Sequence, residues 1–362
     1  MFLEDVFLES AKSDLEALVA QHRTAGIDGA FQWDPFVAKS MLQKAIRRSD
    51  TGKAEEAARY LLRVNEHGFW RRVCIIALED IGLANIPLVT QALQAERNRA
   101  LRSSLGGSEK VGLALVSAMC TSPKDRTTDD LIDAIGSVDY RCWKADVAEM
   151  SEAERATLAS SASASIHERA IAALQLSPAS ALSRRVRDWC LFLERLPEEA
   201  LSPCVKATAT LGLQRTKSEM ALYMALLSRD LPEAPKQVDD WFPPAVDLSG
   251  LPSWTLDGHT RLGLQAFRLA LKRSPRIGKF VRRWATGTVS PAKTVAGLVF
   301  RVESAQLNRK LDWSLGQQLK EEACNNRPGL PAGVAPEGLA ILREEFELVN
   351  ECRADAVRGY LR

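Results

Sequence analysis

Apolar residues recur along this chain with a period near 3.6, segment after segment. Val37, Met41, Leu42 and Ala45 fall on one helical face, Ala57, Tyr60, Leu61 and Val64 on a second, and Trp70, Val73, Cys74, Ala77 and Leu78 on a third. The pattern continues through Leu113, Val116, Ser117 and Cys120, through a helical hairpin around Leu211, Leu222, Leu226 and Leu227, and through Leu262, Ala266, Leu269 and Ala270. Residues at i, i+3, i+4 and i+7 share a helix face, whereas a half-buried strand alternates every second residue. Such alternation is rare here, so the spacing predicts an all-α, multi-helical protein.

Turn residues divide the pattern. Asp50-Thr51-Gly52 separates the first two helices, Gly68 is expected to end the second, and Gly82 stands where a helix C-terminus calls for a left-handed residue, with Pro87 beyond it. The Ser-rich stretch 159–165 reads as a linker or a helix entry. A chain of 362 residues exceeds what one small core usually serves, so two domains are expected, 1–150 and 165–362. The prolines at 232, 235, 243, 244 and 252 exclude a continuous helix there. A further loop is expected over 326–333, and a closing helix from Ala335 to Tyr360.

Composition adds little: 46% apolar and 26% charged residues are ordinary for a globular protein. The seven cysteines stand singly, with no Cys-x-x-Cys and no His at metal-ligand spacing. Buried thiols in a reducing cytoplasm are expected, with no metal and no cofactor. Acidic residues near the N-terminus, Glu4 and Asp5, stand where a signal peptide needs base, and the longest apolar run, Val111 to Cys120, is too short to span a bilayer. A cytoplasmic protein without a membrane partner is the expectation.

Charge changes the picture. From Gly258 to Val302 there is no Asp or Glu, but ten Lys and Arg residues, a formal +10 that leaves −8 for the rest of a chain of net +2. Segregation of this kind points to an anionic partner. Arg261, Arg268, Lys272, Arg273, Arg276, Lys279, Arg282 and Arg283 are the candidate DNA-binding residues, in company with Lys293 and Arg301. Arg268, Lys272, Arg276 and Lys279 share one helical face if Ser274-Pro275 interrupts the helix only briefly. Phe280 and Trp284 lie among them and offer surface for base stacking; the competing reading turns both rings into the core beneath a solvated basic face. Arg184, Arg185 and Arg187 form a smaller basic cluster.

Two residue pairs invite a catalytic reading. Glu79 and Asp80 are adjacent near a helix end, where acids oppose the macrodipole and need compensation from Arg47, Arg71 or Arg72. Neighbours on an α-helix diverge by about 100°, so these carboxylates are not expected to converge on one ion. Asp257 stands two residues before His259, which would suit an oriented imidazole in a hydrolase or nuclease. No second base or nucleophile stands nearby, and a turn at Asp257-Gly258 with Thr260 or Asp257 capping the next helix is the simpler account.

Three runs carry a family resemblance: Ser40-Met41-Leu42-Gln43-Lys44-Ala45-Ile46-Arg47-Arg48-Ser49-Asp50, Ala77-Leu78-Glu79-Asp80-Ile81-Gly82-Leu83-Ala84, and Lys110 through Thr121-Ser122-Pro123-Lys124. In this order they resemble the C-terminal collar of the replication-associated recombination AAA+ ATPases of the clamp-loader clade. The likeness covers about residues 36–133. It departs from the family at Glu66-His67-Gly68-Phe69-Trp70, at Arg48 in place of Gly, and at Asn85-Ile86-Pro87 in place of Asp-Pro. No Gly-x-x-x-x-Gly-Lys-[Ser/Thr] occurs, so the phosphate-cradling loop of the motor is absent. The resemblance implies a collar-like helical domain, assembly as a homo-oligomer or docking on an AAA+ partner, and an interface at Arg47, Arg48, Glu79 and Asp80. Joined to the basic segment, it implies a non-enzymatic accessory of DNA replication, recombination or repair, with single-stranded or forked DNA as partner. The alternatives are a protein–protein interaction module of a mobile-element or phage-related system, and a hydrolase or nuclease using Asp257 and His259.

Overall fold

The first helices form where their caps dictate. The computed structural model describes residues 3–23, 33–137, 140–177, 181–327 and 329–361. Helix α1 (Leu3–Gln21) is followed by α2 (Pro35–Arg47), whose N-cap Asp34 accepts the Phe36 and Val37 N–H groups at 2.8 and 3.1 Å. Val37, Met41, Leu42 and Ala45 are all fully buried, as their spacing predicts. Ser49 turns the chain at φ 59°, and Asp50 caps α3 (Thr51–Ile76). This helix does not end at Gly68. It bends at Asn65 (φ −161°, ψ 77°), whose Oδ1 accepts the Gly68 N–H at 2.8 Å and so restarts the helix. A Cβ on Gly68 would sit 2.6 Å from that amide, so the glycine permits the bend. Val64, predicted on the buried face, is half-exposed beside it.

A π-helical turn, Ala77–Ile81, and a short 3-10 turn, Gly82–Ala84, carry the chain into α4 (Ile86–Arg97), α5 (Arg99–Ser104), α6 (Ser108–Thr121) and α7 (Thr127–Ile135). Gly82 has the expected positive φ (48°), with ψ at −132°, and a Cβ there would lie 2.8 Å from the Asp125 carbonyl oxygen. That close approach lets the Asp125 N–H reach the Asp80 carbonyl at 3.0 Å. Gly82→Ala is therefore expected to cost about 2–3 kcal/mol in urea denaturation; a cost below ~0.5 kcal/mol would show that the approach relaxes freely.

The second half continues the all-helical build. It comprises α8 (Arg141–Glu149), α9 (Glu152–Ser160), α10 (Ile166–Leu174), α11 (Leu182–Arg195), α12 (Pro203–Thr216) and α13 (Met220–Leu227), then α14 (Arg261–Arg273), α15 (Pro275–Trp284), α16 (Pro291–Val299), α17 (Ser314–Asn325), α18 (Ala335–Glu344) and α19 (Phe346–Tyr360). The expected closing helix is thus two helices that meet at Glu345. A second π-helical turn, Phe300–Ser304, follows α16. The proline-dense segment is non-helical apart from a single turn at Ser253–Thr255, and within it β1 (Lys236–Val238) pairs antiparallel with β2 (Lys310–Asp312), Gln237 opposite Leu311. In the expected loop at 326–333, Pro328 lies outside the described residues.

The expected division near 150–165 coincides with a real loop, where Ser165 caps α10 in a reciprocal pair with Glu168. The packing does not divide there. One hydrophobic core runs from Leu15 to Val357, with α1 and α4 packed on α12 and α7 packed on α17. Residues 1–150 and 165–362 share that core because helices of each half bury their apolar stripes against the other. Among the described residues no helix is long and apolar enough to cross a membrane.

Candidate nucleic-acid interface

The acid-free segment folds into two amphipathic helices with opposed halves. In α14, Leu262, Ala266, Phe267 and Ala270 are buried, and Arg261, Gln265, Arg268 and Lys272 are exposed along one stripe at spacings of four, three and four. In α15, Ile277, Phe280 and Val281 are buried while Arg276, Lys279, Arg282 and Arg283 face outward. Ser274 adopts extended geometry (φ −91°, ψ 112°) and its hydroxyl accepts the Ile277 N–H at 2.9 Å. A new helix therefore starts at Pro275. Arg268 and Lys272 lie on α14 and Arg276 and Lys279 on α15, so the single four-residue face is replaced by two stripes.

The eight predicted DNA-binding residues are all exposed, but not all are free. Arg273 pairs with Asp355 of α19, and Arg276 with Glu344 at 2.6 Å and Glu345 at 3.8 Å. Arg301 is buried and bound by Asp130 and Asp133 of α7, so it leaves the basic surface altogether. Among the described residues, Arg261, Arg268, Lys272, Lys279, Arg282, Arg283 and Lys293 have no carboxylate partner. Arg276, Lys279 and Arg283 line one shallow groove over Ala340 and Ile341 of α18, with Glu337 at its edge. The stacking expectation fails for Phe280, which is 4% exposed. Trp284 is half-buried, with the Arg283 guanidinium 4.6 Å from its ring. In the smaller cluster, Arg185 lies over Trp189 at 5.0 Å and serves the packing of α11.

The residues expected at an assembly interface lie inside instead. Arg47 (3% exposed) donates from Nε to Asp80 at 2.8 Å and from Nη2 to Glu79 at 2.8 Å; Asp80 is fully buried. Arg126 binds the same two carboxylates and also Asp129, and Gln43 donates to Asp80 Oδ2 at 2.9 Å. The two acids do converge, against the α-helical expectation, because Ala77–Ile81 is a π turn with wider winding and smaller rotation per residue. What they meet is two guanidinium groups. Arg47 Nη1 further reaches the Ser304 carbonyl at 2.6 Å, and the Asn308 N–H donates to the Arg47 carbonyl at 2.9 Å, so the first motif grips the second π turn and the chain beyond it. Arg48 is half-buried above Phe242 (4.2 Å) and Trp254 (5.3 Å), and burial lowers its pKa to about 10.

Electrostatics follow from this packing. Burial alone would raise Glu79, but Arg126 and Arg47 outweigh it and hold its carboxyl down at about 2. Burial pushes Asp129 up to about 6 against the pull of Arg126, with Glu79 and Asp130 adding to the rise. Asp125 is pushed up by burial, also to about 6. Burial lowers Lys124, at the end of the third motif, to about 8; its ammonium donates to the Ser49 hydroxyl (3.1 Å) and to the Cys120 and Ser122 carbonyls (2.9 and 3.0 Å). All three motifs thus meet around one buried polar cluster.

The Asp257–His259 pair does not form a dyad. Asp257 Oδ2 accepts from Lys44 Nζ at 2.7 Å and from the Ser40 hydroxyl at 3.2 Å, and Oδ1 accepts the backbone N–H of His259 at 2.8 Å. The imidazole is exposed and is not oriented by that carboxylate. Thr260 caps α14 through the Gly263 N–H at 3.0 Å. Burial depresses Lys44 despite Asp257, while Lys44 overrides burial to depress Asp257. Ser40 and Lys44 belong to the first motif, so α2 splits its polar residues between the Asp257 turn and the Glu79-Asp80 turn. Sequence reasoning missed this link and missed Arg126; only the position of Arg126, directly behind the Pro123-Lys124 run, pointed to it.

A narrow cleft lies beside this cluster, lined by Asp125, Arg126, Asp240, Lys310, Trp313 and Lys320. It offers about 20 Å³ for water centres, room for a water or two and not for a metabolite. Among the described residues no group of His, Cys, Asp and Glu is arranged to hold a metal ion. No family model, curated protein or solved structure matches the chain.

Proposed function

We propose that this protein is a non-enzymatic nucleic-acid-binding accessory of DNA replication, recombination or repair. The observation that carries the reading is the set of seven exposed cations between Arg261 and Lys293 that have no carboxylate partner among the described residues, in a stretch without a single acid. Desolvated phosphates would find there charge that the fold itself leaves uncompensated. The pathway rests on the likeness of residues 36–133 to the clamp-loader-clade collar. The likeness also supports assembly, either as a homo-oligomer or on an AAA+ partner. Arg47, Glu79 and Asp80 are consumed inside the chain, so any such assembly uses other surfaces.

Binding should show the signature of counterion release. With about five of the seven cations on phosphate, log affinity plotted against log salt is expected to slope near −4.5 on duplex and near −3.5 on single strands. Fluorescence anisotropy of the full chain with labelled single-stranded, duplex and forked oligonucleotides at several salt concentrations reads this directly. A slope near zero, or no binding at low salt, overturns the proposal. Light scattering on the protein alone separates a homo-oligomer from a monomer that requires a partner.

A further inference from the structure

Aromatic surface does accompany the basic face, though not where the basic segment itself supplies aromatics. Helices α14 and α19 pack antiparallel: Arg273 pairs with Asp355, and one turn later on α19 Gly359 abuts the Gln265 side chain, 4.0 Å from where a Cβ would stand. Gln265 lies in the exposed stripe between Arg261 and Arg268. The next residue on α19, Tyr360, is 55% exposed and stacks one face of its ring on Trp33, with centroids 6.0 Å apart and planes at 25°. Tyr360 thus follows by one residue the contact that joins α19 to the exposed stripe of Arg261 and Arg268, neither of which has a carboxylate partner among the described residues.

We infer that Tyr360 receives an unstacked base of a single-stranded nucleic acid whose phosphates follow Arg261, Arg268 and Lys272. Helix polarity supports the assignment. The C-terminal end of α19 carries partial negative charge, which repels phosphate from Tyr360 itself. The adjacent N-terminal end of α14 carries partial positive charge and bears Arg261, which draws phosphate there. Two acids of this region are engaged among the described residues. Asp34 caps α2 through two backbone N–H groups, and Asp355 binds Arg273 and Arg358. Bases in a duplex are stacked on one another and present no face to such a ring, so the platform selects single strands or the unpaired arms of forks. Its ring is sequence-tolerant, since every base has a π-face.

The inference rests on the nucleic-acid reading, and its test separates the two. Anisotropy is measured on the full chain with a labelled 20-mer single strand and the matching duplex, for the wild type, Tyr360→Ala, Tyr360→Phe, Tyr360→Leu and Arg268→Glu, with thermal melts to confirm folding. Tyr360→Ala and Tyr360→Leu are expected to weaken single-strand binding about tenfold with duplex binding unchanged, and Tyr360→Phe to stay within about twofold because the ring is kept. Arg268→Glu is expected to weaken both substrates. Equal single-strand affinity in the wild type and Tyr360→Ala, with Arg268→Glu still defective, overturns the platform and leaves the basic face standing. Full single-strand affinity in Tyr360→Leu shows apolar contact in place of stacking and also overturns it. Absence of binding in the wild type overturns both.

Discussion

Replacing Arg126 by Met is expected to destabilise the protein by about 3–5 kcal/mol, a large share of the stability of a folded protein. Arg126 is buried and bonds Glu79, Asp80 and Asp129 together. Methionine fills much of the same volume but leaves Glu79 and Asp80 with Arg47 as their remaining guanidinium partner and removes the ion pair of Asp129. The pH dependence identifies the cause. In the wild type, Glu79 is held at about 2, below its unfolded value, so its stabilisation is complete above about 4.5 and fades as pH falls from there toward 2. In Arg126→Met, Asp129 loses the guanidinium that opposes the upward push of burial, so its penalty is complete at neutral pH and is relieved as it takes up a proton on acidification. Urea denaturation at pH 7.5, 6 and 5 should therefore show the gap between variant and wild type narrowing. A gap independent of pH would mean that lost packing, and not unpaired charge, is responsible.

The same residues show where sequence reading succeeds and where it stops. Helices were legible because periodicity and caps are local: Asp34, Asp50 and Thr260 each bond the first turn that follows them, and the buried faces of α2 and α14 fall where their spacing puts them. The break in α3 was misplaced by three residues because a glycine marks close approach as readily as an end, and here Asn65 supplies the stop. Compensation of Glu79 and Asp80 was foreseeable from the macrodipole, and Arg47 is the partner. That both acids face the same guanidinium groups was not foreseeable, since it depends on a π turn that no local signal announces. Charge segregation located the basic helices but could not see that Arg301 turns inward to α7, or that α18 and α19 return Glu344 and Asp355 to the same surface. Carboxylates far away in sequence, from Glu344 for Arg276 to Asp130 for Arg301, decide which cations stay uncompensated. The Tyr360–Trp33 stack joins residues near opposite ends of the chain and has no sequence signature at all.

The second large effect concerns a buried ion pair between α19 and the second π turn. Glu303, in the second π turn, and Arg353, in α19, are both fully buried side chains joined by two hydrogen bonds of 3.0 and 2.6 Å. Arg353 also donates to Asn350 Oδ1 at 3.0 Å and to the Leu256 carbonyl at 3.1 Å, and its guanidinium lies 5.6 Å from the Phe346 ring. Either single change, Glu303→Leu or Arg353→Met, strands a buried charge and is expected to cost about 3–5 kcal/mol. The double variant removes both charges and is expected to cost well below the sum of the singles, with a coupling of about 2–3 kcal/mol in a double-mutant cycle. It should not recover fully, because the Leu256 carbonyl loses its donor. Additive costs would mean that the two charges are not paired in solution. The outcome bears on function through geometry. Leu256 precedes the Asp257 turn that sets the start of α14, and α19 ends at Tyr360, so this pair acts together with Arg273–Asp355 and the packing of α14 on α19 in setting the two helices relative to each other. On the single-strand proposal, a double variant that stays folded but binds single strands no better than duplex would show that selectivity needs the register of α14 against α19, and not the mere presence of the side chains.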